Sequence, residues 1–402
     1  MIKNEGRIFH KDIINGYIDQ QKNKYINISH QIHANPEIGN EEFFASATLT
    51  KVLIDAGFEV TNDIAGHETG FIARKSSSKP GPTIAFLAEY DALPGLGHAC
   101  GHNIIGITSV AAGISLGLVL EEIGGTVLVY GTPAEEGGQN GSAKGSYVKH
   151  QLFDGVDAAI IIHPSGQTRT TQPFLAVNPL DFHFYGKPAH AAAAPEEGIN
   201  ALDAVIQLFN GIGALRQQLP TDIRVHGIIP NGGDAPNIIP DYASARFYIR
   251  AATWKSCEEM SERIIQIAKG AALATGADVK IERFQNEVHD FVLNTALDEV
   301  IREELAALGE EVVQDTQNAS GSTDAGNVSH VVPTAHPYIK IGPNDLIAHT
   351  EEFRECAISE LGDQAVITGA KALANTGYRL LTDQSLLQKI KDEFLKAKTS
   401  DI

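Results

Sequence analysis

The 402-residue sequence holds only three cysteines, Cys100, Cys257 and Cys356. An odd number at no framework spacing excludes a disulfide-stapled scaffold and fits a reducing compartment, the cytoplasm. Positive charge is also scarce. Against 50 Asp and Glu stand 31 Lys and Arg, and the formal net charge of −19 argues against nucleic acid or an anionic membrane surface as a partner. Long apolar runs are missing: the richest stretch, Ile104 to Leu120, carries Gly and Ser and is too short for a confident membrane span. The opening Met-Ile-Lys-Asn-Glu-Gly-Arg has no signal-peptide apolar core. No internal repeat is found. What is present is the composition of a folded protein, 43% hydrophobic and 20% charged, in a chain long enough to divide into two domains.

The pattern along the chain is α/β. Residues 5–33 read as a polar helical lead-in, and Asn40 as the N-cap of a helix that carries Ala45, Leu49, Val52, Leu53 and Ala56 and stops at Gly57. Short apolar runs at 84–88, 126–130 and 157–162 read as buried strands. Residues 103–120, apolar nearly all round, read as a helix packed on a sheet. Strands alternating with helices imply right-handed crossovers and a mainly parallel sheet flanked by helices. Near residue 178 the period changes. Strands at 181–185, 223–229, 242–250 and 278–284 interleave with helices at 199–215 and 256–273, the split order of a ferredoxin-like α+β insert. The first pattern resumes at about 290, with strands near 311–313 and 337–341. The expected division is therefore 1–177 with 290–402 as one discontinuous domain and 178–289 as the insert. Ser76–Pro82 and the charged C-terminal tail look flexible.

The chemistry gathers where the first set of strands ends. Strand 84–88 runs into Glu89 and Asp91, then through a Pro/Gly turn to His98, Cys100 and His102. Thiolate, imidazole and carboxylate in one packet suit a borderline metal such as zinc, so this stretch reads as half of a metal site. Strand 126–130 leads to Glu135 and Glu136, and strand 157–162 to His163. In a parallel sheet all of these share one edge, where open α/β sheets place their sites. Of two adjacent glutamates, one can bind metal while the other takes a proton from the attacking water. Asp91 is suited to orienting an imidazole ligand, and His98 is a weaker ligand candidate. Two apparent motifs carry nothing. Gly113-Ile-Ser-Leu-Gly117 lies inside an apolar helix rather than at a nucleophile elbow, and Gly137–Gly145 lacks phosphate-loop spacing.

These residues resemble the two-metal amidohydrolases and peptidases that include aminoacylase, the auxin-conjugate hydrolases and p-aminobenzoyl-glutamate hydrolase. The resemblance rests on Asp91-Ala-Leu-Pro, Gly97-His-Ala-Cys-Gly-His102, Pro133-Ala-Glu-Glu136, Gly186-Lys-Pro-Ala-His190 and Ala348-His-Thr350, in the family's order, and it runs from His33-Ala-Asn-Pro-Glu-Ile-Gly39 to beyond Thr368. It implies a zinc-exopeptidase (phosphorylase/hydrolase-like) catalytic domain with a lid and dimerisation insert. It also implies two divalent ions, zinc or manganese, held by Cys100, His102, Glu136, His163 and His349, with Glu135 as general base. His349 by itself would read as a surface histidine. By the same resemblance His190 completes a partner subunit's site in a homodimer or a higher oligomer. Asn237 and Arg250 hold a substrate carboxylate, with His226 as a further contact. The chain departs from relatives at Glu89-Tyr-Asp91, at Asn103 and at His349-Thr-Glu-Glu-Phe353. With Gly321–Ser329, these details resemble most the aminobenzoyl-glutamate hydrolases and β-alanyl-lysine-type dipeptidases. The expected reaction is amide hydrolysis in small N-acyl amino acids or dipeptides. The alternatives are a peptidase of longer peptides and a silent, metabolite-binding partner subunit.

Overall fold

Three parallel strands carry the candidate residues at their carboxyl ends, and the rest of their unit is built around them. The computed structural model describes residues 2–314 and 321–400. In chain order the strands of the first unit are β1 (Glu59–Ile64), β2 (His67–Ser76), β3 (Thr83–Ala88), β4 (Thr126–Gly131), β5 (Ala158–Ile160) and β6 (His163–Ser165). The second unit supplies β7 (Ala176–Tyr185), β8 (Arg224–Asn231), β9 (Tyr242–Ala251) and β10 (Asp278–Arg283). The chain then returns to the first unit with β11 (Thr334–Ala335) and β12 (Tyr338–Lys340). The first unit comprises 1–173, 291–318 and 324–402; the second comprises 174–290 with the short piece 319–323.

The main sheet of the first unit has the order β1-β2-β4-β3-β5-β11. β4, β3, β5 and β11 are mutually parallel, whereas β1 and β2 form an antiparallel edge. Every residue of the helix His102–Gly117 is buried, as its all-round apolar pattern requires. It packs between β3 and the long helix Glu360–Thr382. Gly113 lets it lie close, since a Cβ there would meet Val129 Cγ2 at 2.5 Å, so the Gly-x-Ser-x-Gly run is a packing feature. Ile84, Phe86 and Leu87 of β3 are fully enclosed, each contributing about 1.5–3 kcal/mol of apolar burial.

The second unit has its own core, with Phe182, Phe184, Phe247, Ile249 and Ile264 at its centre. Its sheet runs β10-β7-β9-β8 with every pair antiparallel, covered by helices Ala201–Leu215 and Trp254–Thr275. This is the split α+β order expected from the sequence. Asn200 and Thr253 cap the two helices through side-chain oxygens.

The structure corrects several local expectations. Asn40 is not an N-cap. It takes a left-handed φ of 65° and its amide reaches Gln139 O and Asn140 O, while Glu42 stands before the helix Phe43–Asp55. The edge hairpin of β1 and β2 was not read from the sequence. Residues 311–313 form no strand, only an isolated bridge from Val313 to Arg169. The run 157–162 is shorter than expected, and His163 opens the separate strand β6, paired with β12. The charged C-terminal segment is the helix Gln384–Ser400, with Leu387, Ile390 and Phe394 buried. Among the described residues no helix is long and apolar enough to cross a membrane.

Candidate metal centre

Because β3, β4 and β5 are parallel neighbours, the segments leaving them meet at one edge. β3 ends at Ala88 and delivers Glu89 and Asp91, both wholly enclosed. The turn that follows brings Cys100 next to Gly101, whose φ of 75° caps the helix that begins at His102. A side chain at Gly101 would be strained, and its Cβ would meet Pro164 Cγ at 2.4 Å. The segment after β4 carries Ala134 at a φ of 56°, unusual for a residue with a Cβ, directly ahead of Glu135 and Glu136. Glu42 holds that turn by accepting the Ala134 N–H at 2.8 Å. His349, also left-handed at a φ of 63°, arrives after β12; its N–H donates to Ala99 O, and Thr350 caps the helix Glu351–Cys356.

Seven of the expected residues come together. Asp91 Oδ1 lies 2.8 Å from His102 Nδ1, and Asp91 Oδ2 accepts the Glu136 N–H at 2.9 Å, so one carboxylate orients two neighbours. His102 Nε2 then faces Glu89 Oε2 at 3.5 Å and the carboxylates of Glu135 and Glu136 at 3.9 Å. His163 Nδ1 bonds to Pro164 O at 2.7 Å, which turns Nε2 towards Cys100 Sγ at 3.4 Å. His349 Nε2 lies 3.4 Å from Glu136 Oε1. Three sets have ligand atoms within 4.8 Å of one another: Cys100, His102 and His163; Cys100, Glu136 and His349; and Glu89, His102 and Glu135. His98 joins none of them and stacks on His33 at 6.0 Å.

The electrostatics call for a cation. Burial pushes the Glu135 carboxyl well above its usual range, and Glu89, Glu136 and Asp324 add to the shift. Burial and the Glu136 carboxylate likewise push the Cys100 thiol up. Burial works against charge on His102, yet Asp91 and Cys100 lift its pKa well above the ordinary imidazole value. His163 goes the other way, lowered by burial to about 4, which suits a neutral ligand nitrogen. His102 Nε2 and Glu136 Oε1 are buried with no hydrogen-bond partner. These two orphaned atoms, with the Cys100 sulfur and the His163 and His349 nitrogens converging on them from separate loops, fit a pair of divalent ions in the two sets that share Cys100.

Residues 180–275 match the family described as the peptidase dimerisation domain. The chain is 38% identical over 392 residues to the Xaa-Arg dipeptidase of Mus musculus, covering 94% of this chain and 90% of that protein. It is 30% identical over 460 residues to one of the subunits of the p-aminobenzoyl-glutamate hydrolase of Escherichia coli strain K12, covering 94% of each. The chain belongs to this family of amidohydrolases and dipeptidases. It is thus an enzyme of amide hydrolysis. Two solved structures share the family's fold. The aminobenzoyl-glutamate utilization protein of Klebsiella pneumoniae matches with a TM-score of 0.70 at 20% identity, covering 92% of this chain and 98% of that one. A dinuclear metal-binding peptidase of Bacillus subtilis matches with a TM-score of 0.64 at 20% identity, covering 91% and 99%.

The hydrolase's remaining expected residues lie in the second unit. His190 is exposed, and its Nδ1 accepts the N–H groups of Ala192 and Ala193 at 3.2 and 3.1 Å. Asn237 is exposed beside it, its carbonyl accepting the Ala191 N–H at 3.0 Å. Arg250 is half-buried on β9, donating to Ser322 Oγ at 2.9 Å and lying over the Tyr248 ring. His226 is exposed on β8, its ring 5.9 Å from that of Tyr248. Sequence reading missed Glu42, Lys144, Asp324 and His336, whose ring stacks on His163 at 5.4 Å. For Lys144 a signal existed, because an acid at the end of a buried strand, Glu89, requires a counter-charge.

Proposed function

We propose that this hydrolase cleaves the amide bond of dipeptides and small N-acyl amino acids, with two divalent ions held by Cys100, His102, Glu136, His163 and His349. The observation that carries the reading is the pair of ligand sets sharing Cys100, with Glu135 beside them and in neither. When bound, the ions polarise the scissile carbonyl and lower the pKa of a water towards ~7. The thiolate favours zinc, and the carboxylate and imidazole donors are equally suited to manganese. Asp91 holds the His102 ring and the Glu136 backbone in place. Glu135, partly exposed and crowded by negative charge, is the group able to take a proton from the attacking water and return it to the leaving amine.

The second unit supplies substrate binding and subunit association. Arg250 binds a substrate carboxylate through its planar fork, with Asn237 and His226 as further contacts. His190 stabilises the oxyanion in the site of a partner copy. The match to a peptidase dimerisation domain supports a homodimer, as does the edge position of β8 with Ile228 and Ile229 exposed. Three free cysteines support a reducing, cytoplasmic setting.

The test is amine release from a panel of dipeptides, N-acyl amino acids and aminobenzoyl-glutamate, with zinc or manganese and a chelator control. Chelator-sensitive release from short substrates is expected. Release only from longer peptides, or none from metal-loaded protein, refutes the reading.

A further inference from the structure

Lys144 is wholly buried beside the candidate ligands, and no step above uses it. Its Nζ lies 2.7 Å from Glu89 Oε1 and 2.5 Å from Asp324 Oδ1, both on carboxylates that are themselves enclosed. Its backbone N–H donates to the other Asp324 oxygen at 3.1 Å. Taking an ammonium group out of water is costly, so it stays charged there only against anions that offset the lost hydration. One of those anions, Glu89, belongs with His102 and Glu135 to the third set of potential ligands. That set differs from the other two in already having a cation against it.

The difference matters to Glu135. A carboxylate coordinated to a metal is less basic, because the cation draws on the oxygen electron density with which it would collect a proton. Without the counter-charge of Lys144 the Glu89–Asp324 corner would admit a further ion, and Glu135, which shares a potential ligand set with Glu89, would be drawn into coordination. We propose that Lys144 is a third, built-in cation of the centre: its ammonium fills the Glu89–Asp324 corner in place of a metal, confines the two divalent ions to the sets that share Cys100, and leaves Glu135 free as base. Lys144 is thus a positioning residue, tying the helix Ala143–Lys149 to Asp324 and to the end of β3. The inference rests on the two-ion reading above.

Chelator-stripped wild type and Lys144→Ala are reloaded with Mn2+, freed of unbound metal, and compared for ions per chain and for Tm. Lys144→Ala is expected to hold one ion more than wild type and to gain more in Tm on Mn2+ addition. The triple variant Lys144→Ala, Glu89→Gln, Asp324→Asn, which lacks the anions, returns to the wild-type count. Folding of Lys144→Ala only in the presence of Mn2+ supports the proposal in the same way. Equal counts and equal Tm gains in wild type and Lys144→Ala overturn it. So does a Lys144→Ala chain that stays unfolded at every Mn2+ concentration while the triple variant folds. A wild-type count other than two defeats the two-ion reading itself, whereas the increment between variant and wild type still decides the role of Lys144.

Discussion

The residues proposed for chemistry divide between the two units, and the two sets are held in opposite ways. In the first unit Glu89, Asp91 and His102 are enclosed and neighbours hold the cluster in place, Lys144 pairing with Glu89, Asp91 with His102 and Pro164 O with His163, while His349 is its exposed member. In the second unit His190, His226 and Asn237 are exposed, and only Arg250 is partly packed. A buried, locked cluster is preorganised and needs only its cations. Exposed side chains gain a fixed geometry from whatever covers them, here a substrate or a second copy of the chain. Metal loading should therefore belong to the first unit alone, and turnover to both.

The largest expected effect tests the first half of that contrast. Glu135→Gln should lower kcat by about 10²–10⁴-fold, the range for losing a positioned general base, while the number of ions bound stays at the wild-type value. Single-turnover kinetics with metal analysis on the same sample reads both. Loss of metal together with activity would make Glu135 a ligand and undo the distinction between base and ligand.

A somewhat smaller effect tests the second half. His190→Ala should reduce kcat by about 10²–10³-fold, as for loss of one oxyanion donor, again with unchanged metal content. Mixing the two inactive variants at equal ratio is the sharper measurement. If His190 acts in a partner's site, heterodimers carry one intact site, and random exchange should restore about a quarter of wild-type activity by the statistics of a two-fold assembly. No recovery after demonstrated exchange places His190 in the site of its own chain.

The same contrast explains what was legible in the sequence. Strand ends in the first unit were readable because β3 and β4 are short apolar runs, and because parallel topology alone brings Glu89, Glu135, Glu136 and His163 to one edge. The helix His102–Gly117 was readable because it is apolar on every face. The hairpin β1–β2 was not, since its exposed positions carry Glu68, Arg74 and other polar residues that weaken the apolar signal. Asn40 misled because its amide serves carbonyls about a hundred positions away rather than a local helix. For Lys144 the sequence signals only that Glu89 needs a counter-charge; which cation supplies it is set by the tertiary fold, which brings Glu89 and Asp324 to it. In the second unit alternation and helical spacing gave the elements, β7 starting earlier than expected at Ala176, whereas roles for His190, Asn237 and Arg250 came from resemblance alone, because nothing in the local pattern specifies what these side chains bind.

The smallest effect sharpens a contrast inside the first unit, between two buried glutamates. Glu89 is opposed by burial, but Lys144 and His102 hold its carboxyl at about 2. Glu42 has no such cation: burial and the nearby Asp91 push its carboxyl from 4.5 up to about 7, against neutral donors, Thr69 Oγ1, its own backbone N–H and that of Ala134. Between those two values the folded chain binds more proton than the unfolded one, so the contribution of Glu42 is fully present below 4.5 and is lost as the pH rises to about 7. The loss is limited to about 3 kcal/mol by linkage. Glu42→Gln keeps an oxygen for the Ala134 N–H and removes the titration. Urea unfolding of the metal-free protein across this window should show wild-type stability falling with pH relative to the variant, and a wild-type profile that parallels the variant's would mean that Glu42 remains ionised in the fold.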